Sequence, residues 1–291
     1  MIAGQKPACI AGWGTSVALL ELPEPYAFEL STARYRAFGT DLANLWHEGG
    51  LHRVVDGREV RITDAPGGVD VQPLDAEIAP VVRRLLGAEF DLAAFYAFAA
   101  TEPVLADLTT ELRGLRPPIA VEPFESLVTS ITAQQVSLHA AFAIRNRLIE
   151  RFGVRAEHAY SFPTRERLAA AEPHELFALG FSHRKAEYAT GLARSDLDLD
   201  ALALLTDDEV KAALTALPGI GEWTADWFLA RHLARPRAWP AGDLGVRKAA
   251  SRYYGEGRDL TTDAVRALAE RFDPFQNLTA HYLLAGLLRS T

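Results

Sequence analysis

The rhythm of apolar and polar positions changes once along the chain. Up to about Ala100, short apolar runs alternate with turn residues. Val17–Leu22, Tyr26–Leu30, His52–Val55 and Glu59–Thr63 have the length and composition of strands, and Asp56-Gly57 between the last two is a hairpin signal. Ala76–Leu86 carries its apolar residues at helical spacing. A helical stretch follows and is interrupted at Arg116-Pro117-Pro118 and again at Glu122-Pro123. Proline fixes φ and disfavours helix in its predecessor, so a boundary is expected there. Beyond it nearly everything reads helical. Phe124–Phe152 has a weak point at Gln134-Gln135-Val136-Ser137. Arg165–Ala171, His174–Leu179, His183–Arg194, Asp207–Leu214, Glu222–Ala234, Leu244–Tyr253, Thr262–Arg271 and Phe275–Leu288 follow, several of them parted by Pro or Gly. The expected fold class is α+β. A small N-terminal mixed α/β domain with linker helices spans residues 1–115, and a mostly α-helical domain spans residues 116–291. No solenoid-length repeat or low-complexity tract interrupts this plan.

Composition narrows the function. With 291 residues, 49% of them hydrophobic and 23% charged, the chain is an ordinary globular one. Its single cysteine, Cys9, excludes an intramolecular disulfide, a Cys-ligated iron–sulfur cluster and a Cys-based zinc finger, and fits the cytoplasm best. No stretch approaches the roughly 18–20 apolar residues of a membrane helix. Met1–Leu20 is broken by Pro7, Gly12 and Gly14 and holds one basic residue, Lys6, so no secretory leader is expected. The eight histidines show no metal-ligand spacing, so no metal held by side chains is expected. The net charge of −8 argues against nucleic acid at first sight. Residues 1–122, however, hold 10 basic and 17 acidic side chains, and residues 123–291 hold 20 and 21. The helical part is therefore near neutral and free to build a local basic face.

The richest stretch is Leu217-Pro218-Gly219-Ile220-Gly221-Glu222-Trp223-Thr224-Ala225-Asp226-Trp227. A Pro-Gly-X-Gly turn between two helical runs makes a helix–hairpin–helix. Its glycines allow positive φ and close backbone approach, and the turn opens a helix N-terminus whose N–H groups suit a phosphodiester. A tight turn between packed helices is the other reading of this motif taken alone. Downstream comes Trp239-Pro240-Ala241-Gly242-Asp243, with Asp243 at the N-cap position of the next helix. Capping alone would account for that aspartate. Arg247, four residues on, is placed either to pair with Asp243 or to meet a phosphate. Asp226 reads as structural, and Arg184 and Lys185 read either as a DNA-facing pair or as part of a solvated face.

Together the hairpin, the Gly/Pro-rich stretch and the aspartate resemble the helix–hairpin–helix DNA glycosylase superfamily, and within it the DNA-3-methyladenine glycosylase II family. Pro123-Phe124-Glu125-Ser126-Leu127-Val128 and Gln134-Gln135-Val136-Ser137 extend the likeness. In residues 1–100 it rests on arrangement, since that family often carries an N-terminal α+β domain.

The resemblance implies a helical glycosylase domain, duplex DNA carrying damaged bases as partner, no organic cofactor, and a cytoplasmic monomer. It implies Asp243 as the catalytic carboxylate, stabilising an oxocarbenium-like sugar and orienting water. Bifunctional relatives hold a lysine just after the hairpin glycines; Trp223 stands there instead, which implies base removal without strand cleavage. Trp223, Trp227 and Phe272 match positions that line or flank the base pocket, where an aromatic face favours a cationic alkylated purine. Gln135, with Gln134 beside it, matches the wedge that fills the gap left by a flipped base. Pro218, Gly219, Ile220, Gly221, Thr224 and Arg247 match the DNA-contacting set. A monovalent cation on the Gly219–Gly221 backbone is implied as well. The expected substrates are 3-methyladenine and 7-methylguanine. Hypoxanthine, an oxidised purine or uracil, or a damaged-DNA-binding module without catalysis, remain open, as does use of the hairpin for protein contacts.

Overall fold

The computed structural model of the chain describes residues 17–289. Cys9 and most of the Met1–Leu20 stretch read for a leader lie outside them. No helix among the described residues is long and apolar enough to cross a membrane.

The N-terminal part is an antiparallel sheet with strands β1 (Ala18–Glu21), β2 (Leu45–His47), β3 (Gly50–Val55), β4 (Arg58–Ala65) and β5 (Gly68–Gln72), in the order β1-β5-β4-β3-β2. The Asp56-Gly57 hairpin forms as expected: both residues have positive φ, and Val55 faces Arg58 across the turn. Strands β2 and β5 went unread in the sequence. The first has three residues. The second leaves the Pro66-Gly67 turn on Gly68, where an added Cβ would strike the Leu20 carbonyl oxygen at 2.1 Å. Tyr26–Leu30, expected as a strand, is instead mostly helix α1 (Phe28–Thr32), followed by α2 (Arg34–Ala37). A five-residue apolar run carries no decisive period, and here Phe28 buries itself while Thr32 Oγ1 donates to the Phe28 carbonyl. Helix α3 (Ile78–Leu85) packs Ile78, Val82 and Leu85 into the same core.

Helices α4 (Leu92–Ala99) and α5 (Pro103–Glu111) bury their apolar faces in a second core running from Phe90 to Leu283. Residues 90–115 thus pack with the helical body, although sequence order groups them with the N-terminal part. After Pro117-Pro118 come α6 (Pro123–Ala133), α7 (Leu138–Phe152), the short pair β6 (Val154–Arg155) and β7 (Tyr160–Ser161), α8 (Arg165–Ala170), α9 (Pro173–Ala178), α10 (His183–Arg194), α11 (Asp207–Thr215) and α12 (Glu222–Arg231). Then follow α13 (Leu244–Tyr254), α14 (Thr262–Leu268), which tightens into a 3-10 turn at Ala269–Phe272, and α15 (Gln276–Arg289). This is the expected α+β arrangement of a small sheet followed by many helices.

A buried charge network locks the two parts together. Arg53 of β3 donates to Glu125 of α6 at 2.7 Å and to Asn44 at 2.8 Å; Arg145 of α7 donates to Glu125 at 2.5 Å and also to Asp41. Burial opposes ionisation of Glu125, but the Arg53 and Arg145 guanidiniums outweigh it and hold that carboxyl below its ordinary range. Two cations against two anions leave no uncompensated charge, the condition under which such a network is tolerated inside a protein.

Candidate active site

The hairpin is built as its residues require. Helix α11 ends at Thr215, the turn passes through Pro218, Gly219 and Ile220, and α12 starts at Glu222 with Gly221 as its N-cap. Gly219 sits at φ +82°, and an added Cβ would lie 2.1 Å from the Tyr188 ring, so both backbone and packing demand glycine. Gly221 meets nothing within 4 Å and offers no side-chain cap, leaving the first turn of α12 open to an anion. Pro218 is exposed. Ile220 and Thr224 are buried, at 5% and 1% exposure, so the turn presents its backbone rather than these side chains to solvent. The carbonyl oxygens on either side are already engaged. That of Gly219 accepts from Gln134 Nε2 at 2.9 Å, and that of Gly221 accepts from the N–H groups of Thr224 and Ala225 at 3.0 and 3.1 Å.

Asp243 caps α13 and does more. Oδ1 accepts from the Val246 N–H at 3.0 Å, and Oδ2 accepts from both indoles of α12, Trp223 Nε1 at 2.8 Å and Trp227 Nε1 at 3.1 Å. The four-residue spacing of the tryptophans puts both N–H groups on one face of α12. A carboxylate has about four lone-pair directions, so three fixed donors orient it and leave one open.

The two indoles differ. Trp223 keeps exposed surface. Trp227 is 3% exposed, with the Arg231 guanidinium 3.5 Å over its ring and the His281 ring edge-on at 5.8 Å. Trp227 therefore presents its N–H edge to Asp243 and no open ring face. Phe272 is fully buried against Trp239 and Tyr254, at 5.5 and 5.4 Å between ring centres, with no surface for a base.

The sequence reading missed Arg231, His281 and Arg34. Arg231 was findable, since residues 223, 227 and 231 repeat at one helical face; the other two arrive from α15 and α2 and carry no local signal. Burial first, then the charge of Arg34, push the Arg231 guanidinium well below its ordinary range, while Asp243 acts the other way. Burial also lowers Arg34, again with Asp243 opposing. Among the described residues no carboxylate lies within ion-pair distance of either arginine. His281 Nδ1 donates to the Asn277 carbonyl at 2.9 Å, which fixes its tautomer; burial and then Arg231 bring its pKa down to about 3. Asp243 is thus held by two indole donors, and the Arg231 guanidinium and the neutral His281 imidazole pack against the ring of the second.

On the other side of the hairpin, α6 ends at the interruption foreseen in Phe124–Phe152. Gln135 is exposed at φ +54°, with Val136 and Leu138 also presented to solvent. Gln134 folds back onto the hairpin through Gly219 O and approaches Thr224 Oγ1 at 3.4 Å. Lys185 Nζ donates to the Thr132 carbonyl at 3.1 Å, supporting the same corner. Arg184 is exposed. Arg247 is half-buried and points to Thr262 Oγ1 at 3.5 Å, not to Asp243. Asp226 pairs with Lys211 at 2.7 Å, in line with a structural role.

The profile of the HhH-GPD superfamily base excision DNA repair proteins matches residues 128–274. A DNA-3-methyladenine glycosylase of Bacillus subtilis is 27% identical over 215 residues, covering 71% of each chain. Of two further curated relatives the chain spans 57% and 42% of the length. The structure of a 3-methyladenine DNA glycosylase from Archaeoglobus fulgidus superposes with a TM-score of 0.82 at 28% identity, covering 91% of this chain and 96% of that one. A Schizosaccharomyces pombe 3-methyladenine DNA glycosylase, solved in complex with abasic DNA, superposes with a TM-score of 0.56 at 26% identity over 64% of this chain and 92% of that one. The chain belongs to the HhH-GPD superfamily of base excision DNA repair proteins and, within it, to the DNA-3-methyladenine glycosylase II family of DNA glycosylases.

Proposed function

We propose that this protein flips alkylated purines such as 3-methyladenine and 7-methylguanine out of duplex DNA and hydrolyses their N-glycosidic bond, leaving the abasic strand intact. The observation that carries the proposal is the Asp243 carboxylate, held by three N–H donors beside the half-exposed Trp223. Its open lone pair is suited to oppose the cationic sugar or to orient water. Alkylation makes the purine a good leaving group, so one carboxylate suffices. The geometry supports a reaction without strand cleavage: Trp223 occupies the position after the hairpin, while the Lys185 and Lys211 amines are engaged elsewhere. The open first turn of α12 holds a phosphate, and Gln135 occupies the gap in the stack.

A second reading within the same chemistry is favoured by one observation, the Arg231 guanidinium on Trp227. A neutral base leaves with negative charge, which a guanidinium stabilises, whereas a cationic base is repelled by it. Hypoxanthine-type lesions then become the better substrates. Duplexes carrying one lesion each decide between the two, with base release and strand breaks scored separately. Release of 7-methylguanine ahead of hypoxanthine supports the first reading, and the reverse order supports the second. Strand cleavage without alkali overturns the monofunctional assignment, and release of no base from any duplex overturns both.

A further inference from the structure

Far from Asp243 in sequence, two parts of the fold converge on one carboxylate. Glu59 of β4 lies opposite Val54 in the β3–β4 register, so His52 is its diagonal neighbour on the same sheet face. His52 Nδ1 meets Glu59 Oε1 at 2.7 Å. His158, from the loop between β6 and β7 of the helical body, meets the same oxygen through its own Nδ1 at 3.2 Å. The other oxygen is fixed by the backbone N–H groups of His158 and Ala159 at 2.7 and 3.1 Å. One ligand atom from each of the three side chains falls within 4.8 Å of the others. His47 stacks on His158 at 4.6 Å and stands edge-on to His52 at 5.6 Å.

Two features set this cluster apart from a solvated charge group. The His52 and Glu59 side chains are 5% and 11% exposed. His52 Nε2 is buried without a hydrogen-bond partner, a lone nitrogen of the kind that costs about 1–3 kcal/mol when left unmade. Both imidazoles turn Nδ1 toward a single oxygen as hydrogen-bond donors, and an ion bound among them would take the place of those protons.

We propose that His52, Glu59 and His158 form a seat for one divalent transition-metal ion of the zinc class, with the fourth position left to water. Two imidazoles and a carboxylate suit zinc, cobalt or nickel rather than calcium or magnesium, which take all-oxygen sets. Because His52 and Glu59 come from the sheet and His158 from the helical body, the ion clamps the two parts. The clamp is separate from the glycosidic chemistry and does not depend on the substrate assignment.

The test uses the full, tag-free chain after chelator treatment, titrated with zinc chloride by calorimetry and with cobalt chloride by visible absorption. The expected result is one ion per chain, a raised Tm, and a cobalt spectrum of nitrogen and oxygen ligands without thiolate bands. His158→Ala and Glu59→Gln each weaken binding at least tenfold, while His183→Ala, which alters an exposed histidine stacked on Phe177, does not. If a cluster variant fails to fold, the cobalt spectrum of the unaltered chain still decides the ligand set. No stoichiometric binding, binding untouched by either cluster variant, or thiolate bands abolished by Cys9→Ser would each overturn the site.

Discussion

Replacing Asp243 by asparagine is usually treated as a silent loss of charge, and this geometry predicts otherwise. The carboxylate takes one N–H on Oδ1 and two on Oδ2. An amide has one accepting oxygen and one donating nitrogen. With its oxygen toward Val246, its NH2 faces two indole donors, and leaving such donors unmade costs about 1–3 kcal/mol each. Turned over, it satisfies the indoles but loses the cap, at about 1 kcal/mol, and sets NH2 against N–H. The cheaper rotamer is adopted, so Asp243→Asn destabilises by about 1–3 kcal/mol and abolishes base release. Urea unfolding gives the first quantity, and single-turnover release of free base gives the second. Trp223→Phe supplies the internal check. It removes the 2.8 Å donor, so its cost in the Asp243→Asn background is about 1 kcal/mol smaller than in the wild type, a coupling that a double-mutant cycle reads directly. Wild-type stability of Asp243→Asn with no coupling to Trp223 would refute the three-donor geometry. Surviving base release would refute the catalytic assignment.

Three further outcomes follow from the same geometry. Gln135→Gly relieves a left-handed residue and raises stability by about 0.5–1 kcal/mol while lowering excision from duplex DNA, so thermal unfolding and single-turnover rate move in opposite directions. The two hairpin glycines separate packing from binding. Gly219→Ala meets the Tyr188 ring and costs about 2–4 kcal/mol of stability, whereas Gly221→Ala stays within about 0.5 kcal/mol and weakens affinity for abasic-analogue DNA; equal effects at both positions would contradict the assignment. His232 is buried with its Nδ1 donating to the Ala120 carbonyl at 2.7 Å, and burial is the main reason its pKa falls from 6.5 to about 4. Its neutral form is stabilising above pH 6.5, and that contribution is lost as pH falls toward 4, at about 1.4 kcal/mol per pH unit near pH 5. His232→Gln therefore flattens the loss of stability between pH 7 and pH 5, measured by urea midpoints.

Most of this fold was legible because its signals are local. The helix at His183–Arg194 coincides with α10, capped by Ser182 as the residues suggest, and the weak point at Gln134–Ser137 is the break between α6 and α7. What the sequence hid depends on approach across the chain. Phe272 carries a pocket-like identity, yet its burial is decided by Trp239 and Tyr254. His281 reaches the Trp227 ring from the last helix, 54 residues away in sequence. The cluster of His52, Glu59 and His158 has no spacing to read, because its third member lies 99 residues from Glu59.

The fate of Gln134 shows why such residues matter. Its type and position suggested a filler for the base stack, shared with its neighbour. Its side chain instead ties the end of α6 to the hairpin turn through Gly219 O, while Gln135 alone projects outward. The wedge and the phosphate-binding turn are therefore joined by one hydrogen bond. In the proposed reaction, seating a phosphate at the head of α12 would also fix the height at which Gln135 enters the helix, and a wedge displaced by a misaligned base would pull directly on Gly219. Under the proposed function, backbone grip and base extrusion would be parts of a single mechanical element, with Asp243 held by the same α12 through its two indoles.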